Sequence, residues 1–394
     1  MANDRTGAPA AEYALGLLER LVRTPSVNPA LATGPHAATR AGETAVARLV
    51  EAELRALGCD VDWREPRPGR PSVVGRLRGA GAGPSLMLNG HLDTVGVAGM
   101  PEPFAARHED GRLYGRGACD MKGGIAAMLA AARALAGSPV ALAGDLLVAA
   151  VADEETESLG TLDVLGHYRP DAAIVTEPTG LAPCIAHKGF VWLEVTVPGR
   201  AAHGSRPDLG IDANVRLGEL LSGVGALARD LGRRPPHPLL GTASVHAGRV
   251  RGGTGESTYA ATASAVLERR TLPGEGAADA EAEVNAILST SEWGRDARVR
   301  VLLARAPFET GVDAPIVGAL RAVLVARGHD AACVGQPPWM DAALFAAAGV
   351  DTVVIGPAGE GAHAAVEWVD TASVVELAEV LAATARSYCG TVGP

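Results

Sequence analysis

Two periodicities run through this chain. Residues 11–23 and 41–57 repeat apolar side chains at helical spacing, and the second run stops at Gly58. Short apolar runs bounded by turn residues follow at 72–77, 85–88, 146–151, 172–175 and 352–355. Several are rich in Val or Leu and have no polar face, as strands covered on both sides do. Helical stretches at 123–136, 314–327 and 373–386 separate them. Strands that alternate with helices predict an α/β fold with a mostly parallel sheet covered by helices.

The section from 187 to 304 follows another rhythm. Residues 191–197 alternate apolar and polar positions, a helical stretch follows at 212–231, and strand candidates lie at 244–250 and 263–269. A helix at 277–288 and a strand at 298–303 complete it. The order βαββαβ predicts a small ferredoxin-like α+β unit inserted into the larger one. The expected division is therefore 1–186 and 305–394 for a catalytic domain, with 187–304 as the insertion. The Pro- and Gly-rich patches at 66–84 and 232–241 read as loops, and no internal repeat interrupts the pattern.

Composition narrows the function. The 394 residues, 47% of them apolar, suffice for one large domain or two moderate ones. The formal net charge is −10 and no Lys/Arg run stands out, which argues against a nucleic-acid partner. Five scattered cysteines without CxxC spacing argue against a disulfide framework and a thiolate zinc site. The opening MANDRTGAPAAEY lacks the basic start and apolar core of a leader. The longest apolar stretch, 125–136, contains Arg133 and is too short to span a bilayer, so no membrane association and a cytoplasmic location are expected.

The chemistry sits at strand ends. SLMLNGHLD ends in His91 and Asp93, LLVAAVADEE in Asp153, Glu154 and Glu155, and DAAIVTEP in Glu177. DTVVIGPAGEGAH runs through a glycine-rich loop to His363, and Asp120 lies in GRGACDMKGG, ahead of a helix. Open α/β sheets place their sites beyond the carboxyl ends of their strands, so these groups can converge in one crevice. Two His and several carboxylates without Cys make a hard N/O site suited to Zn(II), Co(II) or Mn(II). An odd number of carboxylates lets one bridge two ions, and ions about 3.5–4 Å apart acidify a water held between them. Hydrolysis then needs a base that takes the water's proton and hands it to the departing nitrogen. Of Glu154 and Glu155 one ligates and the other stays free as base, and the residues alone leave open which. Singly, each of these groups is more often structural; their combination at matching strand ends carries the reading.

The same segments resemble the M20 metallopeptidase family. The matching stretches are GHLDTV (90–95), GRGACDMKGG (115–124), ADEETES (152–158), TEPT (176–179), GRAAHGSRP (199–207), ERRTLPGE (268–275), PPWMDAALF (337–345) and GAHAAVEWVD (361–370). They occur in family order over nearly the whole chain. The resemblance implies an aminopeptidase-like fold and two divalent metal ions, zinc first and cobalt or manganese as alternatives. It implies His91 and Glu177 on one ion, Glu155 and His363 on the other, and Asp120 as the bridge, followed by a cis peptide to Met121. Glu154 becomes the general base and Asp93 an orienting residue. It also implies that His203, from a partner subunit, stabilises the oxyanion in a homodimer built through the inserted domain. Arg270 matches the arginine that holds the substrate carboxylate, with Arg269 as the alternative, and the 356–361 loop around Gly359 offers N–H groups to the same carboxylate.

The implied reaction is cleavage of the amide bond of a small N-acyl amino acid. A dipeptidase, a carbamoyl-amide hydrolase and a catalytically silent binding protein are the alternatives. The chain departs from the family in places. The usual HAADE motif appears as His363-Ala-Ala-Val366-Glu367, losing an aspartate, and Trp339 stands where desuccinylases carry a small polar residue.

Overall fold

The structure, a computed structural model, describes residues 10–34, 40–97 and 99–393; the first nine residues of the stretch read for a leader lie outside them. Helices α1 (Ala10–Arg23) and α2 (Thr44–Ala56) precede strands β1 (Asp60–Arg64), β2 (Ser72–Leu77) and β3 (Leu86–His91). Helix α3 (Gly123–Ala136), strand β4 (Leu146–Val151), helix α4 (Leu159–His167) and strand β5 (Ala172–Val175) follow. Next come β6 (Gly189–Pro198), α5 (Ala213–Leu231), β7 (Ser244–Gly252), β8 (Thr262–Thr271), α6 (Ala277–Leu288) and β9 (Arg298–Arg305). The chain closes with α7 (Pro315–Ala326), β10 (Asp351–Val354) and α8 (Thr371–Cys389).

Two compact units result, one of residues 1–185, 310–334 and 340–394, the other of 186–309 with 335–339. Where the sequence pattern suggested 187–304 for the insertion, the compact unit is therefore a few residues longer and takes in the segment that ends at Trp339.

In the first unit the sheet runs β1-β2-β4-β3-β5-β10. The four strands β4, β3, β5 and β10 are parallel, and β2 and β1 extend the sheet antiparallel. Every residue of β3, β4 and β5 is buried, which explains their unbroken apolar runs. Helix α3 is buried almost all round because Ala and Gly line it. Its close approach is steric: a Cβ on Gly124 would stand 2.2 Å from the carbonyl of Thr176, one residue before Glu177. Strand β1 (DVDWR), helix α4 and a short hairpin of Arg107–Glu109 with Arg112–Tyr114 were not foreseen. The hairpin strands have three residues each, too few to show a period.

In the second unit four antiparallel strands lie in the order β7-β8-β6-β9. Alternate residues Val191, Leu193, Val195 and Val197 of β6 pack against Leu217, Leu220 and Val224 of α5 and Val284 and Leu288 of α6. The 186–309 segment of this unit begins and ends in paired residues, Ala186 opposite Glu309 and His187 opposite Phe308. None of the five cysteines is in a disulfide. Among the described residues no helix is long and apolar enough to cross a membrane.

Candidate metal centre

Strand register aligns the first donors. His91 is the last residue of β3 and pairs with Val151, so Asp153–Glu155 follow directly beside it. On its other side Asn89 pairs with Val175, so two residues further His91 and Glu177 stand abreast. Their side chains meet, with His91 Nε2 3.5 Å from Glu177 Oε1.

Asp120 lies between the two histidines. Its Oδ1 is 2.9 Å from His91 Nε2, and its Oδ2 is 3.3 Å from His363 Nε2. His363 Nε2 also lies 3.1 Å from Glu155 Oε2. Two donor groups each fall within 4.8 Å: His91, Asp120 and Glu155, and His91, Glu154 and Glu177. His91 is 1% exposed, whereas the side chain of His363 is 57% exposed and forms the rim. The peptide between Asp120 and Met121 is cis. His363 and Asp153 both have positive φ, +63° and +73°.

Asp93 orients this cluster through the backbone. Its carboxylate accepts the N–H of Glu154 at 3.1 Å and of Glu155 at 3.2 Å, and the Asn28 amide at 2.8 Å. His91 Nδ1 donates to the Asp93 carbonyl at 2.9 Å. A carbonyl only accepts, so Nδ1 carries the hydrogen and Nε2 faces the carboxylates. Asn28 also donates to Asp153 at 2.9 Å, Arg70 donates to Asp153 at 2.6 Å, and Glu43 receives Arg70 at 2.7 Å. A buried chain of paired charges thus braces the Glu154–Glu155 turn from below.

The electrostatics are those of crowded acids. Burial pushes Glu154 well above the usual carboxylate range, and Asp341, Glu177 and Glu155 add to that against the pull of His91. Burial likewise raises Glu177 and Glu155, each reinforced by Asp120. Burial would raise Asp120 too, but His363 and His91 outweigh it and hold its pKa low. Hydrogen bonds to Asp120 and Glu155 raise His363 to about 10. Oε1 of Glu155 is buried without a hydrogen-bond partner among the described residues. An unpaired buried oxygen among oxygen and imidazole donors fits divalent cations of the zinc, cobalt or manganese kind.

A family model described as peptidase family M20/M25/M40 matches residues 87–387, spanning every one of these donors. The chain belongs to that family. It is accordingly a hydrolase acting on amide or peptide bonds. An acetylornithine deacetylase of Proteus mirabilis is 29% identical over 387 residues, 95% of this chain and 96% of its own. Another of Myxococcus xanthus is 32% identical over 334 residues, 81% of this chain and 84% of its own. Among solved structures, the aminopeptidase PepT of Bacillus cereus matches with TM-score 0.78 at 16% identity, covering 96% of this chain and 98% of that one. The YXEP protein of Bacillus subtilis, described as a dinuclear metal binding peptidase from the M20 family, matches with TM-score 0.71 at 15% identity over 95% and 97%.

Other positions of this M20 chain lie in the second unit. His203 is exposed, its Nδ1 2.8 Å from Ser205 Oγ. Arg269 is 1% exposed and committed to Glu275 and Glu283. Arg270 is the accessible one of the two, stacked 5.2 Å from the Phe190 ring and paired with Glu268 at 2.8 Å. Trp339 does not enter a core: it donates to the Ala306 carbonyl at 3.0 Å and meets Phe190 and His187 edge-on. In the first unit Gly359 has a packing role, since a Cβ there would come within 2.6 Å of the Trp368 carbonyl and 2.8 Å of Cys119 Sγ.

Several buried polar residues around the site had no role in the sequence reading: Asn28, Arg70, Glu43, Arg116, Asp341 and Glu367. Asp341, raised to about 6 by burial, accepts from Thr161 Oγ1 at 2.5 Å. Glu367, a lone acid in the apolar run AAVEWV, was the one visible signal. The lost aspartate position, Val366, is 63% exposed.

Proposed function

We propose that this protein is a two-metal amidohydrolase that cleaves the amide bond of a small N-acyl amino acid. One observation carries the reading: the two oxygens of Asp120 face different histidines, each of which has its own carboxylate partner. His91 and Glu177 would hold one cation, His363 and Glu155 the other, and Asp120 both. When bound, such a pair supplies a Lewis acid for the amide carbonyl and acidifies a water between them. Zinc is the expected metal, with cobalt or manganese as substitutes.

Glu154, beside the donors, has the raised proton affinity of a group that takes a proton from the attacking water and returns it to the leaving amine. Asp93 holds the Glu154 backbone in place for that transfer. The guanidinium fork of Arg270 suits a substrate carboxylate. His203 is exposed and, among the described residues, its ring meets only the exposed Ser205, which suits delivery to the oxyanion of a second subunit in a homodimer. The N-acyl choice of substrate rests on the acetylornithine deacetylase relatives, at 29% and 32% identity.

The test is a panel of N-acetyl, N-succinyl and N-carbamoyl amino acids and dipeptides, run with zinc- or cobalt-loaded protein with and without chelator. Cleavage of an N-acyl amino acid that chelator abolishes and metal restores is expected. Turnover that survives complete metal removal refutes the reading, and cleavage of dipeptides alone replaces it with a dipeptidase.

A further inference from the structure

Glu367 is 1% exposed and Arg116 is 2% exposed, and the reaction above uses neither. They form an ion pair, with Arg116 Nη1 donating to Glu367 Oε2 at 2.5 Å. The same carboxylate accepts three backbone N–H groups. Gly117 reaches Oε2 at 3.0 Å, and Cys119 and Asp120 reach Oε1 at 2.9 and 3.0 Å. Arg116 in turn donates from Nη2 to the Ala364 carbonyl at 2.9 Å and from Nε to the Gly96 carbonyl at 3.1 Å.

One ion pair therefore ties three loops together. Gly96 lies five residues beyond His91, Gly117–Asp120 carries the shared aspartate, and Ala364 follows His363. A buried charge persists where it is paired and hydrogen-bonded, and this carboxylate has both kinds of partner. Its grip on the Asp120 N–H acts on the backbone from which the aspartate side chain is aimed. The grip on Ala364 does the same for His363 through the peptide that links them. Asp120 and His363 lie in segments that this pair anchors, and His91 ends the strand that leads into the third.

We infer that Glu367, together with Arg116, is a positioning residue that sets the spacing of His91, Asp120 and His363 and so the cation affinity of the site. The inference rests on the two-metal reading above. Substitution by Gln keeps length and one acceptor but turns an NH2 group toward the donors of Arg116 or the backbone.

Full-length protein, stripped by chelator, is titrated with Co(II) and followed by visible d–d absorption, with far-UV circular dichroism as the check of folding. For Glu367→Gln we expect Co(II) affinity about 10–100-fold below the parent, with shifted absorption bands. Arg116→Gln leaves the carboxylate and its backbone bonds in place and removes the ties to Ala364 and Gly96, so a smaller loss is expected there. Parent-like affinity and bands in the folded Glu367→Gln protein overturn the inference. If that variant does not fold, Arg116→Gln decides: weaker Co(II) binding supports the inference and unchanged binding overturns it. Failure of both to fold makes the pair a folding element and also overturns it. A parent protein that takes up no Co(II) at all defeats the metal reading, and the inference falls with it.

Discussion

At the scale of single residues, neighbours in sequence have opposite tasks. Glu154 and Glu155 are adjacent, yet Glu155 touches His363 while Glu154 groups with His91 and Glu177. Glu154→Gln should lower kcat by about 10²–10⁴-fold, the usual contribution of a general base. Metal content measured by atomic absorption should stay at the parent level, and loss of a full equivalent of metal would instead make Glu154 a ligand. Arg269 and Arg270 divide in the same way. Arg269→Met leaves Glu275 without its cation and Glu283 with Arg234 alone, and should cost about 3 kcal/mol of stability. Arg270→Met should leave thermal stability near the parent and lower kcat/KM about 10- to 100-fold, mostly through KM, as loss of a charged hydrogen-bond pair does. Exchanged phenotypes would reverse the assignment. Period-two alternation already says that only one of the pair points outward, but not which. That depends on Glu275 and Glu283, six and fourteen residues away, which become neighbours only in the fold.

At the scale of elements, the parallel strands do the assembling and the helices fix what is assembled. Helices α7 and α8 are joined where Arg327 donates to Glu376 at 2.6 Å and also reaches Glu379, with His329 2.8 Å from Glu376. The Arg327 hydrogen bond pulls Glu376 down to about 2. The folded value lies below that of an unfolded glutamate, about 4.3. The unfolded state therefore binds more protons in that interval, and the contribution is complete above it and lost as pH falls toward the folded value. Glu376→Gln should lower the melting temperature near about pH 7, and the gap to the parent should narrow by about pH 3. A gap that stays constant across that range would show that the pair adds nothing through charge. Strands β4 and β5 were legible from their unbroken apolar runs, and β3 in part, because burial on both faces writes itself into composition. The strand ends, and hence His91, Glu154, Glu155 and Glu177, were legible with them. The bracing residues were not, apart from the lone charge of Glu367 in an apolar run: Asn28, Arg70 and Glu367 act on backbone N–H groups or on other polar side chains, a task no spacing rule encodes.

At the scale of the whole molecule, the role proposed for His203 in a second subunit can be tested by complementation. If His203 serves a second subunit, proteins carrying Glu154→Gln and His203→Ala, each impaired alone, should complement when refolded together. Random pairing makes half the dimers mixed, each with one intact site of two, so about a quarter of parental activity should return. No recovery in verified mixed dimers would confine His203 to its own chain.

Ala186–His187 and Phe308–Glu309 form a stem of two paired strands, so the ends of the 186–309 segment, which makes up most of the second unit, lie side by side. Closing a loop costs entropy that grows only with the logarithm of its length. A stem of this kind lets genes lengthen, trade or lose whatever hangs on it while the parallel strands keep their pairing. The strands that carry the candidate metal donors and the segment inserted between them can then diverge at separate rates.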